Sequence, residues 1–227
     1  MTLKELQKIL TSIAPADREA MDRAKKRQAE LAKPPGSLGK LEDMSIRLAG
    51  ITGQVRNQLE SCRILVFAAD NGVIAEGVSS SPESVTLSQA VNMTRHITGM
   101  SALARYFGNS VVVADVGINA EVRCPAILNR KIRRSTRNLA KEPALTRQEV
   151  LDAMGVGLEL AGQAKEEGVQ AIGVGEMGIG NTTTSSAVLA ALTGAAVEQV
   201  TGRGGGLTDQ GFATKKRVIE SALALHR

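Results

Sequence analysis

Short apolar runs that end in turn residues are the feature that most restricts the fold of this chain. Residues 64–69 are apolar throughout and precede Asp70-Asn71-Gly72, and residues 111–114 end in the same way at Asp115-Val116-Gly117. Two weaker runs are residues 169–174 and 195–200. Apolar runs without alternation, separated by helical stretches, are typical of parallel strands buried on both faces. They predict an α/β fold with a doubly wound, mostly parallel, Rossmann-like sheet.

Helices are predicted between these runs. Residues 83–107, which follow Pro82, are predicted to form one helix. Thr146 and Glu149 make a capping box, in which each side chain bonds a free backbone N–H of the other residue. We expect that helix to run to about Gly168. A further helix is predicted at residues 185–192.

The two ends of the chain differ in character. Residues 1–60 have helical periodicity without a convincing strand, and they predict a small helical annex. Residues 61–227 form the predicted α/β domain, whose last helix begins near Thr208. That helical pattern still continues at Arg227 without a Gly or Asn cap. We therefore expect this domain to be incomplete at its C-terminal end.

Composition and charge narrow the ligand classes. Among 227 residues, 28 Lys and Arg oppose 23 acids, and this net charge of +5 suits a small anion as well as a polynucleotide. With no Trp, one Tyr and three Phe, the chain is poor in the aromatic faces on which single-stranded bases stack. We expect no nucleic acid partner. The basic residues 130–137 then form a solvated connector or a flap over an anionic ligand.

Metal sites, membranes and secretion are not predicted. Cys62 and Cys124 form no CxxC motif, and two His residues are too few for a His-rich metal site. The N-terminus carries charges where a signal peptide has an apolar segment, and no apolar run reaches the roughly 18–20 residues of a membrane span. We expect a cytoplasmic protein with reduced thiols, no cofactor and no metal.

The strongest local signal is a glycine-rich segment at residues 173–184. It follows a predicted strand and contains Gly175, Gly178 and Gly180, and then Asn181 and Thr182 at the start of a predicted helix. Ligands of open α/β sheets bind at the carboxyl ends of the strands, and a helix N-terminus attracts anions. The segment therefore predicts a phosphate site.

Two other interpretations of this segment remain open. Gly173, Gly175 and Gly178 satisfy GxGxxG, with Glu198 about twenty residues further on, which is the pattern of a dinucleotide site. That pattern usually follows the first strand of its domain, however, and this strand comes late. The glycines could also serve a turn that binds nothing.

A second glycine cluster occupies residues 201–206, again before a helix. It includes Gly202, Arg203 and Gly204, and Lys215 lies about two turns into the helix that follows. From there the lysine can reach back toward an anion. Together, the two clusters predict a site for a phosphate and its attached sugar.

A third candidate element is the loop at residues 70–82 with the helix after it. Ser81 and Gln89 are neutral hydrogen-bonding groups, and Met93 is an apolar neighbour. Such groups suit an uncharged heterocycle. A simple Ser/Pro entry into a helix is the alternative.

Several segments in the same order along the chain resemble one enzyme family, the nicotinate-nucleotide:dimethylbenzimidazole phosphoribosyltransferases. They are residues 33–42 (KPPGSLGKLE), 69–73 (ADNGV), 81–82 (SP), 89–93 (QAVNM), 115–117 (DVG), 135–138 (STRN), 175–183 (GEMGIGNTT) and 202–206 (GRGGG). These segments cover nearly the whole chain, so the resemblance is specific.

The resemblance implies that nicotinate mononucleotide gives its phosphoribosyl group to 5,6-dimethylbenzimidazole or a related base. Ser81 and Gln89 then lie against the incoming base, Glu176 lies close to the ribose, and Lys215 lies beside the phosphate. The phosphoribosyl group lies along the two glycine clusters. The family also implies a homodimer.

One part of the family's chemistry has no counterpart in these residues. The resemblance places the general base, a glutamate in a glycine-rich segment, beyond residue 227. Glu176 is the candidate catalytic carboxylate that remains, as a weak substitute. We expect the 227-residue chain alone to be inactive or feeble. A binding protein without catalysis, or a domain completed by a second chain, are the alternatives.

Overall fold

The computed structural model describes residues 1–226 and divides them into two compact units, Thr2–Glu60 and the residues from Ser61 onward together with Met1. The first unit contains α1 (Leu3–Thr11), α2 (Arg18–Glu30) and α3 (Lys40–Thr52). Among residues 2–60 there is no strand. The helices α2 and α3 approach so closely that a Cβ at Gly50 would lie 2.6 Å from Met21 Cγ.

The second unit is built on a parallel sheet. Its strands are β1 (Cys62–Ala69), β2 (Ser110–Gly117), β3 (Ile127–Asn129) and β4 (Ala171–Met177). In the described part of the chain the sheet has four strands in the order β3-β2-β1-β4, and each neighbouring pair is parallel. The chain therefore adds strands on one side of β1 and returns to its other side with β4. The gap between the carboxyl ends of β1 and β4 is the switch point at which such sheets bind ligands.

Helices cover both faces of this sheet, which confirms the predicted doubly wound α/β fold. The helices α4 (Val85–Thr94) and α5 (Gly99–Tyr106) follow β1, and α6 (Arg147–Glu166) precedes β4. Ala90 of α4 packs with Val66 on one face, and Leu160 of α6 packs with Leu65 on the other. Adjacent residues of β1 thus face opposite layers, as the unalternating apolar run predicts.

The remaining helices pack near the carboxyl ends of the strands. They are α7 (Asn181–Thr193), α8 (Val197–Val200) and α9 (Asp209–Leu225). Ala187 of α7 and Ile219 of α9 share an apolar cluster with Val73, which lies just beyond β1. Both predicted caps are present, since Thr146 accepts from Glu149 N and Thr208 accepts from Gly211 N. The prediction that the last helical pattern still continues at Arg227 concerns a residue outside those that the structure describes.

Two secondary-structure predictions are wrong, and one strand is missing from the predicted elements. Residues 195–200 form no strand, because the left-handed Gly194 ends α7 and the short helix α8 follows, with Val197 packed into the apolar cluster. Residues 83–107 form two helices, because His96 has a positive φ of 58° and Thr98 caps a new helix. The three-residue strand β3 was not predicted, since so short a run carries no periodicity.

None of the helices in the described part of the chain is long and apolar enough to cross a membrane.

Candidate active site

The loop between β4 and α7 packs tightly against the end of β1. A Cβ at Gly178 would overlap the carbonyl oxygen of Ala69 and would lie 2.9 Å from Asn71 Nδ2. Gly180 has a φ of +88°, a conformation that glycine adopts without steric cost. The sequence therefore needs glycine at both positions so that this loop can lie across the carboxyl ends of the two strands.

The second glycine cluster, residues 201–206, lies beside this loop. Lys215 of α9 joins the two, because its Nζ donates to Thr182 Oγ1 at 2.7 Å and to the carbonyl oxygen of Gly202 at 3.0 Å. A Cβ at Gly204 would lie 2.9 Å from the same Thr182 Oγ1. The two clusters thus form adjoining walls although the second follows a helix instead of a strand.

Lys215 is a charged group without solvent contact. Its exposed fraction is 0%, and burial lowers the pKa of its ammonium group. Both described partners of the ammonium group are neutral oxygens. An anion next to these loops would offset that desolvation.

A small cleft of about 80 Å³ lies between the two glycine clusters and the loop that follows β1. This volume admits a group of phosphate size, since a single water needs roughly 10–15 Å³ on this measure. The cleft is lined by Val78, Ser79, Ser80, Ser81, Ile179, Gly180, Asn181, Thr182, Arg203, Gly204, Gly205 and Leu207. Ser80 Oγ donates to the carbonyl oxygen of Gly205 at 3.1 Å and so ties two of the walls together.

Glu176 lies at the end of β4 and is exposed. Its Oε1 accepts a hydrogen bond of 2.6 Å from Asn181 Nδ2, and Asn181 Oδ1 accepts from the backbone N–H of Thr182 at 2.8 Å. This places a carboxylate next to the phosphate-sized cleft. It can accept a hydrogen bond from a sugar hydroxyl or take up a proton.

Most of the substrate-binding residues predicted from the sequence meet around this cleft. Ser81, Gly180, Asn181, Thr182, Arg203 and Gly204 line it, and Gly175, Glu176, Gly178, Gly202 and Lys215 lie in the same two segments or contact them. Gln89 and Met93 lie on α4 and are not among its lining residues. Met93 is half-buried and packs against the core beneath the sheet.

Asn71, Thr86 and Thr184 belong to this site and were not among the predicted site residues. Asn71 bonds both the glycine loop and Thr184, and buried Thr86 accepts from the backbone N–H of Ile179 at 3.0 Å. The signal for Asn71 was present, because polar residues directly after a buried strand lie at the ligand-binding edge of the sheet. Thr184 also lies within the predicted glycine-rich segment at residues 173–184, whereas Thr86 carries no such signal.

The GxGxxG motif has a different structural basis from a dinucleotide site. Gly173 and Gly175 lie within β4 and not in a turn. A Cβ at Gly173 would come within 2.6 Å of Ile64 Cδ1, so this glycine packs against a side chain of β1. This arrangement does not favour the dinucleotide interpretation.

Most of the basic side chains in residues 130–137 form ion pairs within this chain. Arg130 pairs with Glu159 at 2.6 Å, and Arg137 pairs with Glu149 at 2.7 Å. Backbone bonds from Arg130 to Asp115 and from Ser135 to Gly117 hold the stretch along the end of β2. The stretch therefore connects β3 to the rest of the unit with most of its charges paired.

Buried carboxylates near the site have structural partners. Asp70 Oδ2 accepts from the backbone N–H of Asn119 at 2.8 Å, and burial raises the pKa of this carboxyl group. Asp115 pairs with Lys131 at 3.0 Å. Within residues 1–226 there is no group of three or more His, Cys, Asp or Glu side chains placed to hold a metal ion.

Known proteins resemble this chain over nearly its whole length. A family model described as Phosphoribosyltransferase matches residues 13–227. The nicotinate-nucleotide–dimethylbenzimidazole phosphoribosyltransferase of Clostridium perfringens (strain 13 / Type A) is 46% identical over 97% of this chain and 61% of its own length. The protein of the same name from Ruminiclostridium cellulolyticum is 44% identical over 100% of this chain and 64% of its own length.

A solved structure shares the fold. The crystal structure of CobT from Thermus thermophilus superposes with a TM-score of 0.87 at 40% identity, over 92% of this chain and 63% of that chain. The chain therefore spans somewhat less than two thirds of the length of these relatives. On the match to the family model, which covers nearly all of its residues, the chain belongs to the phosphoribosyltransferase family.

Proposed function

We propose that this protein transfers the phosphoribosyl group of nicotinate mononucleotide to 5,6-dimethylbenzimidazole or a related base. The products are α-ribazole 5′-phosphate and nicotinate. The observation that carries the proposal is the cleft between two glycine loops that share the buried Lys215. The cleft has room for the phosphate, Arg203 lines it, and the buried Lys215 bonds both of its glycine loops. The relatives named above act on a nicotinate nucleotide and dimethylbenzimidazole according to their names.

In this reaction the protein must position the two reactants and accept one proton. The pyridinium ring of the nucleotide leaves as a neutral ring, taking the electrons of its bond to the sugar. An azole nitrogen attacks the same sugar carbon from the opposite face, so the configuration changes from β to α. The azole then loses its proton to a base. Holding both reactants in line is the main contribution to the rate.

Each candidate residue has a role in this proposal. Residues 175–182 and 202–204 hold the phosphoribosyl group, with Lys215 on the phosphate side. Glu176 lies beside the ribose. Ser81, at the cleft, and Gln89, on α4, lie against the incoming base, and Met93 of the same helix packs into the core. Support comes from the placement of Ser81 in the same cleft as the glycine loops.

We also propose that residues 1–227 alone bind the nucleotide but turn it over weakly. The family resemblance places the general base outside them, and Glu176, hydrogen-bonded to Asn181, is the carboxylate at the described cleft that could replace it. Turnover at a rate normal for such enzymes by this polypeptide would contradict the proposal.

The experiment that tests the function combines binding and turnover. Calorimetry with nicotinate mononucleotide should give saturable binding to one site. Incubation with the nucleotide and dimethylbenzimidazole should release nicotinate slowly, and more slowly in Glu176→Gln. Binding without any release would favour a non-catalytic binding protein. Absence of nucleotide binding would contradict the proposed substrate.

We further propose a homodimer and a cytoplasmic location. The first rests on the family resemblance, and sedimentation equilibrium tests it by giving twice the chain mass. The second rests on Cys62 and Cys124, which both lie among the described residues and are free thiols. A reducing compartment preserves such thiols.

A further inference from the structure

We propose that Asn71 is the positioning residue that holds the phosphate-binding loop in its working conformation. The inference rests on the proposed function, because it assigns the loop at residues 178–180 to a sugar phosphate. Asn71 is the second residue after β1 and lies at the switch point between β1 and β4. It is not among the lining residues of the cleft, so it acts through the loop.

The side chain of Asn71 bonds both the loop and the first turn of the helix that follows it. Its Nδ2 donates to the carbonyl oxygen of Ile179 at 3.1 Å, and its Oδ1 accepts from Thr184 Oγ1 at 3.0 Å. Ile179 is in the loop itself and Thr184 is in the first turn of α7. One amide group therefore fixes the distance between the loop and the start of the helix.

The loop needs such an external support. Its two glycines have wide conformational freedom, and no side chain of their own can pack it in place. A Cβ at Gly180 would lie 3.2 Å from Asn71 Cβ, so the loop lies directly on this residue. The N–H of Ile179 is also held, by buried Thr86 at 3.0 Å. Both backbone polar groups of Ile179 are thus bonded to side chains outside the loop.

This arrangement supplies binding energy indirectly. A loop that is already ordered loses less conformational entropy when a ligand binds. Ile179, Gly180 and Thr182 all line the cleft. Loss of the Asn71 bonds should therefore weaken ligands that use the loop, without removing any ligand contact.

The amide makes the role chemically specific. Asn71→Asp retains an oxygen that can accept from Thr184 but replaces the donor to Ile179 with an oxygen that faces a carbonyl oxygen. Asn71→Ala removes both bonds. Thr184→Val removes only the hydrogen bond that Thr184 donates to Asn71 Oδ1, whereas Thr184→Ser keeps the hydroxyl that donates it. Thr193→Val is the matched control, because Thr193 is also on α7 but bonds locally to Leu189 O at 2.7 Å.

The first test measures affinity by calorimetry at a temperature well below unfolding, with nicotinate mononucleotide and with ribose 5-phosphate. Asn71→Ala and Asn71→Asp should weaken both ligands about tenfold, since each net hydrogen bond is worth a factor of roughly two to ten. Thr184→Val should weaken them about threefold. Thr184→Ser and Thr193→Val should bind within about twofold of the wild type.

A purely structural role predicts a different pattern. It lowers the melting temperature of Asn71→Ala but leaves the affinity of the folded protein unchanged, and that result would overturn the inference. If the wild type itself binds neither ligand, the proposed function fails, and the loop is then judged by the second test alone.

The second test needs no ligand and measures hydrogen exchange by mass spectrometry. Asn71→Ala and Thr184→Val should each speed exchange in residues 178–184 several-fold, with exchange in α6 unchanged. Unchanged exchange in the loop would refute the positioning role whatever the ligand. If Asn71→Ala does not fold, Thr184→Val carries both tests.

Discussion

Two glycines near the end of β4 have opposite surroundings, although they lie three residues apart. Gly178 lies against the backbone of β1, where a Cβ would overlap the Ala69 carbonyl oxygen. A Cβ at Gly175 would meet no described atom within 4 Å. One glycine therefore serves the fold of the loop, whereas the other leaves open space on the exposed end of the strand.

We predict opposite effects for the two alanine variants. Gly178→Ala must push β4 and β1 apart, and it should lower the free energy of unfolding by about 2–3 kcal/mol, a range typical of overpacking. Gly175→Ala should leave stability within about 0.5 kcal/mol but weaken the binding of nicotinate mononucleotide, because the proposed site places the phosphoribosyl group along residues 175–182. Thermal unfolding and calorimetry measure the two effects. Equal stability of the two variants would contradict the proposed role of Gly178.

Lys215 and Lys216 form a second matched pair. Lys215 is buried between the glycine loops, whereas Lys216 stacks over the ring of Phe212 at 5.1 Å. We predict that Lys215→Met weakens nicotinate mononucleotide about tenfold to a hundredfold, the loss expected for a charged hydrogen bond. Free nicotinate, which lacks the phosphate, should lose little affinity. Lys216→Met is the control.

A lysine that only supports the fold would give a different calorimetric result. Lys215→Met would then weaken the nucleotide and free nicotinate equally, or it would weaken neither. Either outcome would contradict a role of Lys215 on the phosphate side.

At the scale of elements, the start of α6 combines a predicted cap with ion pairs that the sequence did not indicate. Glu149 accepts from the backbone N–H of Thr146 at 2.7 Å and pairs with Arg137 at 2.7 Å. These bonds, of which the one from Arg137 has the largest effect, lower the pKa of Glu149 from 4.5 to about 2. The pair links α6 to the stretch that runs along β2.

This carboxylate should make stability depend on acid. Its pKa is lower in the folded chain than in the unfolded one, so its contribution is fully present above about pH 4.5 and is lost as the pH falls toward 2. We predict that Glu149→Gln melts at a lower temperature than the wild type at pH 7, and that the difference shrinks between pH 4.5 and 2. Glu220→Gln, an exposed position of α9, is the control. A difference that stays constant over this range would contradict the assignment.

The elements that could be predicted are those whose signal is local. Buried strands such as β1 follow from unbroken apolar runs, and α6 and α9 follow from their caps at Thr146 and Thr208. The predicted strand at residues 195–200 was wrong because a short apolar run does not distinguish a strand from a buried turn of helix. The split at His96 depends on a positive φ that no residue type there demands.

The glycine loops of the site could be predicted from the sequence, but the side chains that hold those loops in place could not. Gly178 and Gly204 stand in conspicuous clusters, and Lys215 lies at a helical spacing that reaches back toward them. The bonds from Asn71, Thr86 and Ser80 join segments far apart in the chain. Such contacts depend on the tertiary arrangement, which no local pattern encodes.

In the molecule as a whole, β4 is an exposed edge of the sheet. It pairs with β1 on one side and has no strand partner on the other among the residues described. Val174 is 78% exposed. An exposed apolar strand at a sheet edge is prone to pair with other chains.

We predict that Val174→Lys reduces concentration-dependent association of the 227-residue chain, measured by light scattering. The melting temperature should change by less than about 2 °C, because a surface substitution costs little. Val150→Lys, at an exposed position of α6, should have no effect on association. Association that is unchanged by Val174→Lys would show that β4 is not the contact.

In the proposed site, the two glycine loops hold one sugar phosphate together. Backbone amide NMR of the chain during titration with nicotinate mononucleotide reports on both loops at once. We predict saturable shifts in residues 178–182 and 202–206 with a single dissociation constant, and the same shifts, apart from ring effects, with ribose 5-phosphate. Shifts in only one of the two loops, or different constants for the two, would contradict it. So would shifts confined to another groove, of about 310 Å³, which Glu76 and Arg217 line.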